Sequence, residues 1–372
     1  MNFSYNMPTQ IFFGKDILKS KSNIFRSIGK KAFIITGKTS SKKNGSLKDV
    51  EDILKNQSID YVIFDDIEEN PSVETISRAE DIGKTNKVDF IIGIGGGSPI
   101  DAAKAISILI KNRSIDAYDI FTTPNLKAFP VIAVPTTAGT GTEVTQYAIL
   151  TNNISKTKMN FNQSVFPAYA FLDPSYMLNT PNNITINTAI DALSHLIEGY
   201  LSIDSNIASD MFAREGLRIF SNCLENIKNN NYTYETRENL ALASLFAGIV
   251  IAQSGTSLPH GMGYALTYNF EFPHGKANGI LLKGYLELCN KTPELKVKVM
   301  EILSILGFSN LTDFGMYIYA VLGDNKSISE DLLSQYAMNM VSNEGKLKKH
   351  LGKVAYDDIY NIYVKALYTK GD

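Results

Sequence analysis

The hydrophobic and polar positions in the first half of the chain alternate between two patterns. Short, nearly continuous apolar runs are typical of strands buried on both faces of a sheet. The segments between these runs, such as SPIDAAKAISILIKN, have the spacing of amphipathic helices. Because strands and helices alternate, the pattern predicts a mostly parallel, doubly wound sheet. The predicted strands are KAFIITG (31–37), DYVIFD (60–65), DFIIGIGGG (89–97), FPVIAVPTT (129–137) and AYAFLDP (168–174).

The second half of the chain is dominated by helical patterns. The strand signal fades after about Pro181, and the Pro- and Asn-rich segment LDPSYMLNTPNNITI (172–186) indicates the join. A chain of 372 residues also exceeds what one hydrophobic core usually supports. We therefore predict an α/β domain over residues 1–180 and an all-helical domain over 181–372. The predicted helices are TAIDALSHLIEGYLS, ASDMFAREGLRIFSNCLENIKN, TRENLALASLFAGIVIAQSG, LKVKVMEILSILG and YDDIYNIYVKALY.

Charge and composition narrow the classes of partner. The chain has 36 Lys and Arg residues against 38 Asp and Glu residues, so no global field attracts nucleic acid or an anionic membrane. No apolar segment reaches the roughly 18 residues of a membrane helix, and the N-terminus lacks the pattern of a secretory signal. We expect a cytoplasmic protein with no nucleic acid or membrane partner. Cys223 and Cys289 lack ligand spacing, which argues against a thiolate metal site.

A glycine turn follows the third predicted strand, in FIIGIGGGSPIDAAKA. Three glycines, residues 95–97, leave backbone N–H groups accessible, and the helix behind them can hold a pyrophosphate. We expect Ser98 to cap this helix and the Asp101 carboxylate to reach back to the N–H of the cap residue. A second loop, PTTAGTGTEVT (135–145), follows the next strand. Two such loops predict a dinucleotide site, whereas a single turn of this kind is compatible with no ligand at all.

The turn after the first predicted strand, TGKTSSKKNG, bears on the choice of cofactor. A typical NAD enzyme has the GxGxxG turn after the first strand and, about twenty residues later, an acidic residue for the ribose. This turn instead offers Gly37, Thr39, Ser40 and Ser41 beside three lysines. Hydroxyl and ammonium groups suit a 2′-phosphate. We predict a preference for NADP(H), with NAD as the alternative cofactor; the other interpretation is a solvated turn.

Three of the four histidines lie in suggestive settings. Asp191 and His195 are four residues apart in a helical pattern and share a face, while His260 and His274 each stand between Pro and Gly. One carboxylate and three imidazoles suit Fe(II) or Zn(II) and leave room for a substrate oxygen or water. A buried structural role is the alternative for any single histidine, but three in one domain favour a metal site.

The residues around the histidines also indicate the class of substrate. Segments 186–203 and 255–281 contain no Arg and one Lys, Lys276. A phosphorylated or polycarboxylate substrate calls for a basic clamp. The composition instead favours a small neutral alcohol or aldehyde in an apolar pocket.

Taken together, the motifs resemble those of the iron-dependent (group III) alcohol dehydrogenases, in particular the butanol and propanediol dehydrogenase-like members. The motifs, in the order of the family, are GGGSPIDAAK, PTTAGTGTEVT, FLDP, DALSHLIEGYLS, HGMGYAL and HGKANG. The resemblance runs from MPTQIFFG nearly to the C-terminus. It implies a Rossmann-like N-terminal domain with a helical C-terminal domain, the architecture of dehydroquinate synthase, and it implies NAD(P), one divalent metal and a homodimer.

The resemblance assigns roles to individual residues. The metal motif of the family corresponds to Asp191, His195, His260 and His274. Its cofactor contacts correspond to Gly95, Gly96, Gly97, Ser98, Thr136, Thr137, Thr140, Tyr147 and Lys158, and we include Asp101 from the glycine turn. Many members have a second His, assigned to proton transfer, four residues after the third ligand, where this chain has Tyr264. A phenol with a pKa near 10 carries protons poorly at neutral pH, so we expect ribose hydroxyls and water to relay the proton.

The expected reaction is reversible hydride transfer between an alcohol carbon and the nicotinamide, assisted by a Lewis-acidic metal. One alternative is a lyase resembling dehydroquinate synthase, which uses NAD transiently on an anionic sugar phosphate; the missing basic clamp argues against it. Another is a nucleotide- and metal-binding protein without turnover, suggested by Tyr264 in place of His.

Overall fold

The structure is a computed structural model that describes residues 2–112 and 114–368. The chain divides into two compact units. The α/β unit comprises Asn6–Thr180 and Thr233–Ala241, and the helical unit comprises Pro181–Tyr232, the chain from Leu242 onwards and the residues up to Tyr5. The outer limits of the two predicted domains, residues 1 and 372, lie outside the described residues, and the assignment of a cofactor to one domain and a metal to the other stays a prediction.

The α/β unit contains a six-stranded parallel sheet and a two-stranded antiparallel hairpin. The strands are β1 (Gln10–Phe13), β2 (Lys31–Thr36), β3 (Asp60–Phe64), β4 (Phe90–Gly95), β5 (Val131–Pro135), β6 (Ile149–Asn152), β7 (Thr157–Asn160) and β8 (Tyr169–Leu172). The sheet has the order β1-β8-β5-β4-β2-β3, and β6 pairs with β7 in the hairpin. The predicted α/β fold with a mostly parallel sheet is confirmed.

Helices cover both faces of this sheet. They are α1 (Ile17–Ser20), α2 (Ser40–Lys43), α3 (Ser46–Asn56), α4 (Val73–Asn86) and α5 (Gly97–Lys111). Apolar side chains of α4 and α5 pack with Ile91 of β4 in one core, while those of α1 and α3 pack with Ile92 in the other. Neighbouring residues of a strand point to opposite faces, so both faces of β4 are buried. This is why the strand is a continuous apolar run.

Two features of the α/β unit were not predicted from the sequence. β1 is a four-residue strand at one edge of the sheet, and its residues are only partly buried. The hairpin strand β6 is buried at every second residue, so it has no continuous apolar run. Because β1 precedes the other strands, the glycine turn follows the fourth strand of the chain, and TGKTSSKKNG follows the second.

The helical unit contains the remaining helices. They are α6 (Asn182–Leu201), α7 (Ile207–Ser221), α8 (Leu224–Lys228), α9 (Tyr234–Ser254, here from Leu242), α10 (Leu258–Phe270), α11 (His274–Gly279), α12 (Leu282–Cys289), α13 (Pro293–Leu306), α14 (Leu311–Leu322), α15 (Glu330–Val341), α16 (Glu344–Leu347) and α17 (Tyr356–Leu367). The predicted all-helical character is confirmed, although the single helix predicted over 208–229 is broken between α7 and α8. Among the described helices none alone has the length and apolarity to cross a membrane, and two bent pairs, α9 with α10 and α13 with α14, meet those criteria only jointly.

Candidate metal centre and nucleotide site

Helix α6 carries three polar side chains along one face. Asp191, His195 and Glu198 are spaced by four and then three residues, which places them on the same side of the helix. Every residue of α6 from Ala189 to Leu201 is buried, and Asp191 and His195 are only 3% and 5% exposed. Charged and polar groups at such depth require partners, and two other helices supply them.

Helices α10 and α11 bring the other two predicted ligands to Asp191. His260 lies in the first turn of α10, and its Nε2 is 3.4 Å from Asp191 Oδ1. His274 begins α11, and its Nε2 is 3.8 Å from the same oxygen. The rings of His195 and His260 stack with centroids 4.4 Å apart. Ligand atoms of Asp191, His195 and His260 all lie within 4.8 Å of one another, and the partly exposed His274 adjoins them.

A glycine allows α11 to lie against α6. A Cβ atom on Gly275 would be 1.7 Å from the carbonyl oxygen of Asn187 in α6, and one on Gly279 would be 2.4 Å from Ile190 Cγ2. Any larger residue at position 275 would push α11 away from α6 and would move His274 away from Asp191. The close approach of two helices therefore explains the glycine that follows His274.

The charges at this centre suit a divalent cation. Burial alone would raise the pKa of Asp191, but the neighbouring histidines, His195 first, hold it well below its usual range. Burial would likewise lower the pKa of His260, but the carboxylates of Glu198 and Asp191 raise it to about 9. Within the described residues, His260 Nε2 has no hydrogen-bond partner. An ionised carboxylate beside three imidazoles is a donor set that fits Fe(II) or Zn(II).

Two residues of this centre were not predicted from the sequence. Glu198 Oε1 accepts a hydrogen bond from His260 Nδ1 at 2.5 Å. Asn278 Nδ2 donates to Asp191 Oδ1 at 3.1 Å and lies 3.3 Å from His274 Nε2. Helical spacing places each residue on the same helix face as a predicted ligand, since Glu198 is seven residues after Asp191 and Asn278 is four residues after His274. The sequence therefore contained a signal for both.

Tyr264 lies beside the centre together with a lysine that is distant in sequence. The Tyr264 ring stacks on His274, with centroids 5.8 Å apart and planes inclined by 12°. Lys346 Nζ, from α16, lies 5.8 Å from the centroid of the Tyr264 ring and donates a hydrogen bond to Thr256 Oγ1. Lys276, the lysine noted in the sequence, donates to two backbone carbonyl groups. The sequence segments around the histidines contain no other basic residue, but they do not include Lys346, which the structure brings to Tyr264.

In the α/β unit, the glycine turn joins β4 to α5. Gly95 has φ +148°, which few other residues adopt, and Gly96 is the N-cap of a helix that begins at Gly97. The first-turn N–H groups of this helix have no intrahelical partners. The prediction that Ser98 is the N-cap is wrong, because the helix begins earlier and Ser98 Oγ accepts a hydrogen bond from Asn70 N–H at 3.1 Å.

Asp101 does not cap α5 as predicted. Its Oδ1 accepts from Thr142 Oγ1, and its Oδ2 accepts from Ile149 N–H at 2.9 Å. The fully buried Lys104 is one helical turn further on and donates to Thr142 Oγ1 at 2.7 Å. With the helix starting at Gly97, Asp101 faces the donors of the second loop and not the N-cap. Asp101 and Lys104 therefore fasten that loop to α5.

The second loop lies directly against the glycine turn. A Cβ atom on Gly96 would be 3.0 Å from Thr137 Oγ1, and one on Gly97 would be 2.8 Å from Thr140 Cγ2. Thr136, buried at the end of β5, donates its N–H to the last carbonyl of β4 at 2.8 Å. The two loops predicted from the sequence therefore meet at the carboxyl ends of adjacent parallel strands. This is the arrangement in which open α/β sheets bind dinucleotides.

Two further predicted cofactor residues connect to this region. Lys158 Nζ, in β7, donates to Asn70 Oδ1 at 2.6 Å, and Asn70 is the residue whose N–H donates to Ser98. The carbonyl of Tyr147 accepts from Lys104 Nζ at 2.7 Å. Asn70 has φ +58° and was not singled out from the sequence. Asn70 therefore places Lys158 near the start of α5.

The turn after β2 has fewer available hydroxyls than predicted. Gly37 follows the strand, and Thr39 and Ser40 are exposed where α2 begins. Ser41 is fully buried, and its Oγ accepts a hydrogen bond from Thr36 Oγ1 at 2.7 Å. The Ser41 hydroxyl is thus part of the interior of the α/β unit.

The lysines of the same turn lie close to two aspartates. Lys38 Nζ is 2.9 Å from Asp66 Oδ1, and Lys42 Nζ is 2.5 Å from Asp65 Oδ2. Both aspartates follow β3, the neighbour of β2 in the sheet. Within the described part of the chain, Lys43 forms no ion pair. Two of the three positive charges of the turn are therefore balanced by carboxylates.

Comparison with known proteins identifies the family. A family model of the iron-containing alcohol dehydrogenases matches residues 8–174, and a second model, of the C-terminal part of the Fe-containing alcohol dehydrogenase family, matches residues 185–321. The chain belongs to the iron-containing alcohol dehydrogenase family. The resemblance recognised in the motifs is thereby confirmed, and so is the prediction that the protein is an alcohol dehydrogenase.

Individual relatives within this family agree. A 1,3-propanediol dehydrogenase of Citrobacter freundii is 32% identical over 290 residues, covering 75% of this chain and 73% of the relative. An NADPH-dependent butanol dehydrogenase of Clostridium saccharobutylicum is 31% identical over 314 residues, covering 82% and 79%. A solved iron-containing alcohol dehydrogenase from Thermotoga maritima is 38% identical, with a TM-score of 0.91 over 98% of this chain and 99% of that one.

Proposed function

We propose that this alcohol dehydrogenase transfers a hydride reversibly between NADP(H) and a small neutral alcohol or aldehyde, with Fe(II) or Zn(II) held by Asp191, His195, His260 and His274. The observation that carries the proposal is the meeting of one ionised carboxylate and three imidazoles inside the helical unit. Without a cation, the buried His260 Nε2 has no hydrogen-bond partner among the described residues, which carries a cost in stability.

The residues of the helical unit hold and orient the reacting oxygen. Asp191 is ionised at neutral pH because the neighbouring histidines, against the effect of burial, hold its pKa below its usual value. A divalent cation bound there supplies Lewis acidity, which favours the alkoxide form of an alcohol and polarises the carbonyl of an aldehyde. Four protein donors leave room for one substrate oxygen. Tyr264, stacked on His274, limits the space on that side.

The residues of the α/β unit bind the dinucleotide. The N–H groups at the start of α5 donate hydrogen bonds to the pyrophosphate oxygens, and the helix dipole adds to the attraction. Thr137 and Thr140 lie against the same turn and offer hydroxyl groups. Asp101 and Lys104 support the second loop from behind, through Thr142. We therefore assign Asp101 a supporting role in the cofactor site.

We also propose that NADP(H) is preferred to NAD(H). The support is the exposed pair Thr39 and Ser40 together with Lys43, whose charge is not balanced by an ion pair within the described residues. Asp65 and Asp66 oppose this preference, because each offsets one lysine of the turn. We expect kcat/KM for NADPH to exceed that for NADH in the wild type and the ratio to fall in Lys43→Ala. A higher kcat/KM for NADH in the wild type contradicts the preference.

The neutral substrate is proposed in spite of Lys346. The ammonium group of Lys346 is already bonded to Thr256, and burial, only partly offset by Glu198, lowers the pKa of Lys346 to about 8. We expect butanal to be reduced with a higher kcat/KM than an aldehyde of similar length that ends in a carboxylate. Lys346→Met should leave this order unchanged. A wild type that prefers the carboxylated aldehyde, with the preference lost in Lys346→Met, contradicts neutrality.

One anaerobic experiment tests the main proposal. The purified protein is stripped with a chelator, and oxidation of NADPH with butanal is followed before and after addition of Fe(II) or Zn(II). Activity that disappears on chelation and returns with either cation is the expected result. Full activity of the stripped protein contradicts a metal-dependent reaction. In the reverse direction, NADP+ with butanol should accumulate reduced cofactor, which a lyase would not. The homodimer and the cytoplasmic location stay predictions.

A further inference from the structure

We propose that Glu198 is a positioning residue for the metal centre: it holds His260 in the orientation and tautomer in which Nε2 can bind a cation, and so sets the metal affinity. The inference rests on the proposed metal function. Glu198 is completely buried in α6, one helical turn beyond His195, on the face that carries Asp191. A buried carboxylate this close to the centre calls for an explanation.

The contacts of Glu198 divide between its two oxygens. Oε1 accepts from His260 Nδ1 at 2.5 Å and from Ser194 Oγ at 2.7 Å. Oε2 accepts from the backbone N–H of Ser257 at 2.7 Å and of His260 at 3.4 Å. Both oxygens are therefore used as acceptors only. The carboxylate fixes the His260 ring and also the backbone that begins α10.

This arrangement determines which nitrogen of His260 faces Asp191. Because Nδ1 donates its hydrogen bond to Glu198, the other nitrogen, Nε2, is the one 3.4 Å from Asp191 Oδ1. An imidazole binds a metal through the nitrogen that carries no proton, and a carboxylate on the opposite nitrogen keeps the proton there and increases the basicity of the ligand. Glu198 thus keeps the proton on Nδ1, so that Nε2 is the nitrogen that gives up its proton when a cation binds.

The substitution Glu198→Gln tests this role because an amide has only one acceptor atom. If the amide oxygen stays with the N–H of Ser257, the amide NH₂ faces His260 Nδ1, and the ring must then accept at Nδ1 and carry its proton on Nε2. That proton blocks the position of the cation. The side chain keeps nearly the same size, so packing is preserved and the change is confined to hydrogen bonding and charge.

The measurement is the Kd for Zn(II) or anaerobic Fe(II), determined by competition with a chelator, together with the Tm of the metal-free protein. We expect Glu198→Gln to weaken cation binding about 10- to 100-fold. The metal-free Tm should fall as well, because a buried ion pair loses one partner. Ser194→Ala removes one bond to Oε1 and should weaken binding by roughly two- to tenfold. If the role of Glu198 were purely structural, its replacement would lower the Tm and leave the Kd for the cation unchanged.

A matched control is available in the same unit. Glu301 accepts hydrogen bonds from Tyr200 at 2.5 Å and from Arg214 Nε at 2.6 Å, and it contacts none of the four proposed ligands among the described contacts. Glu301→Gln should leave the Kd unchanged. If the wild type binds a cation and both Glu198→Gln and Ser194→Ala bind it with the same Kd, the positioning role of Glu198 is contradicted, whereas the metal centre is not. A wild type that binds neither cation contradicts the metal centre itself and the role of Glu198 with it.

Discussion

The candidate metal centre and the candidate nucleotide site are built from different parts of the chain. The metal centre consists of side chains that project from the buried helices α6, α10 and α11 of the helical unit. The proposed nucleotide site consists of backbone N–H groups and hydroxyls on two turns of the α/β unit. Side-chain direction on a helix follows from residue spacing, whereas a turn depends on backbone angles. A site made of side chains on helices is therefore easier to predict from sequence than a site made of backbone groups in turns.

The same difference separates the consequences of mutation. At the proposed metal centre each donor atom belongs to one side chain, so a single substitution removes it. At the glycine turn the donors belong to the backbone, so that only a residue that fills the space or changes the angles can disturb them. We therefore expect substitutions at the two sites to differ in what they remove.

Removal of a metal ligand should have the largest effect. His195→Ala removes a buried nitrogen donor, and we expect the cation to be lost and kcat/KM to fall by at least about a thousandfold, since Lewis-acid stabilisation amounts to several kcal/mol. Metal content by elemental analysis and kcat/KM with butanal are the measurements. His350→Ala is the control, because His350 is buried against Tyr285 and does not join the cluster. Metal loss in His350→Ala, or full activity in His195→Ala, would contradict the assignment.

A bulky residue in the glycine turn should affect the cofactor alone. A Cβ on Gly97 would be 2.8 Å from Thr140, so Gly97→Val must displace the second loop or the start of α5. We expect the Kd for NADPH to rise about a hundredfold, since charge-assisted hydrogen bonds to the pyrophosphate are lost, while metal content is unchanged. Fluorescence titration with NADPH and elemental analysis measure the two. Loss of metal in Gly97→Val would show that the two sites are not independent.

The difference between side-chain sites on helices and backbone sites in turns also explains which residues could be predicted from the sequence. The four proposed metal ligands could be singled out from the sequence by the i and i+4 spacing of Asp191 and His195 and by the repeated Pro-His-Gly settings. The structure brings three of them, Asp191, His195 and His260, within 4.8 Å of one another, and their role as ligands stays a prediction. Ser98 and Asp101 were placed wrongly because the start of α5 depends on the backbone of Gly96, and a shift of two residues turns Asp101 towards Thr142 and Ile149. Lys346 is 82 residues from Tyr264, and no local pattern connects them. β1 is too short and too exposed to give a strand signal.

Buried charge in the second loop should make the stability of the α/β unit depend on pH. Glu143 is 3% exposed, and burial raises its pKa to about 7 from a usual value of 4.5. The folded state thus holds a proton that the unfolded state has lost, so stability is full below about pH 4.5 and falls as the pH rises towards 7. The loss is on the order of 3 kcal/mol. Glu143→Gln should remove this dependence.

The measurement is urea unfolding of the wild type and Glu143→Gln between pH 5 and pH 8. We expect the variant to be the more stable protein at pH 8 and the difference to vanish near pH 5. Lys104, whose pKa burial lowers to about 8, faces the same loop and is charged in both proteins over most of this range. Equal slopes of stability against pH in both proteins would exclude Glu143 as the source.

The smallest effect is expected at Tyr264. Its ring stacks on His274 and shapes the centre from the side, and Tyr264→Phe keeps the ring while removing only the hydroxyl. If ribose hydroxyls and water carry the proton, kcat should fall less than about tenfold, because general acid–base catalysis by a side chain contributes about 10²–10⁴. Steady-state kcat with butanal and NADPH, with metal content as the control, gives the answer. A loss of two or more orders of magnitude at full metal content would place the phenol in the proton relay.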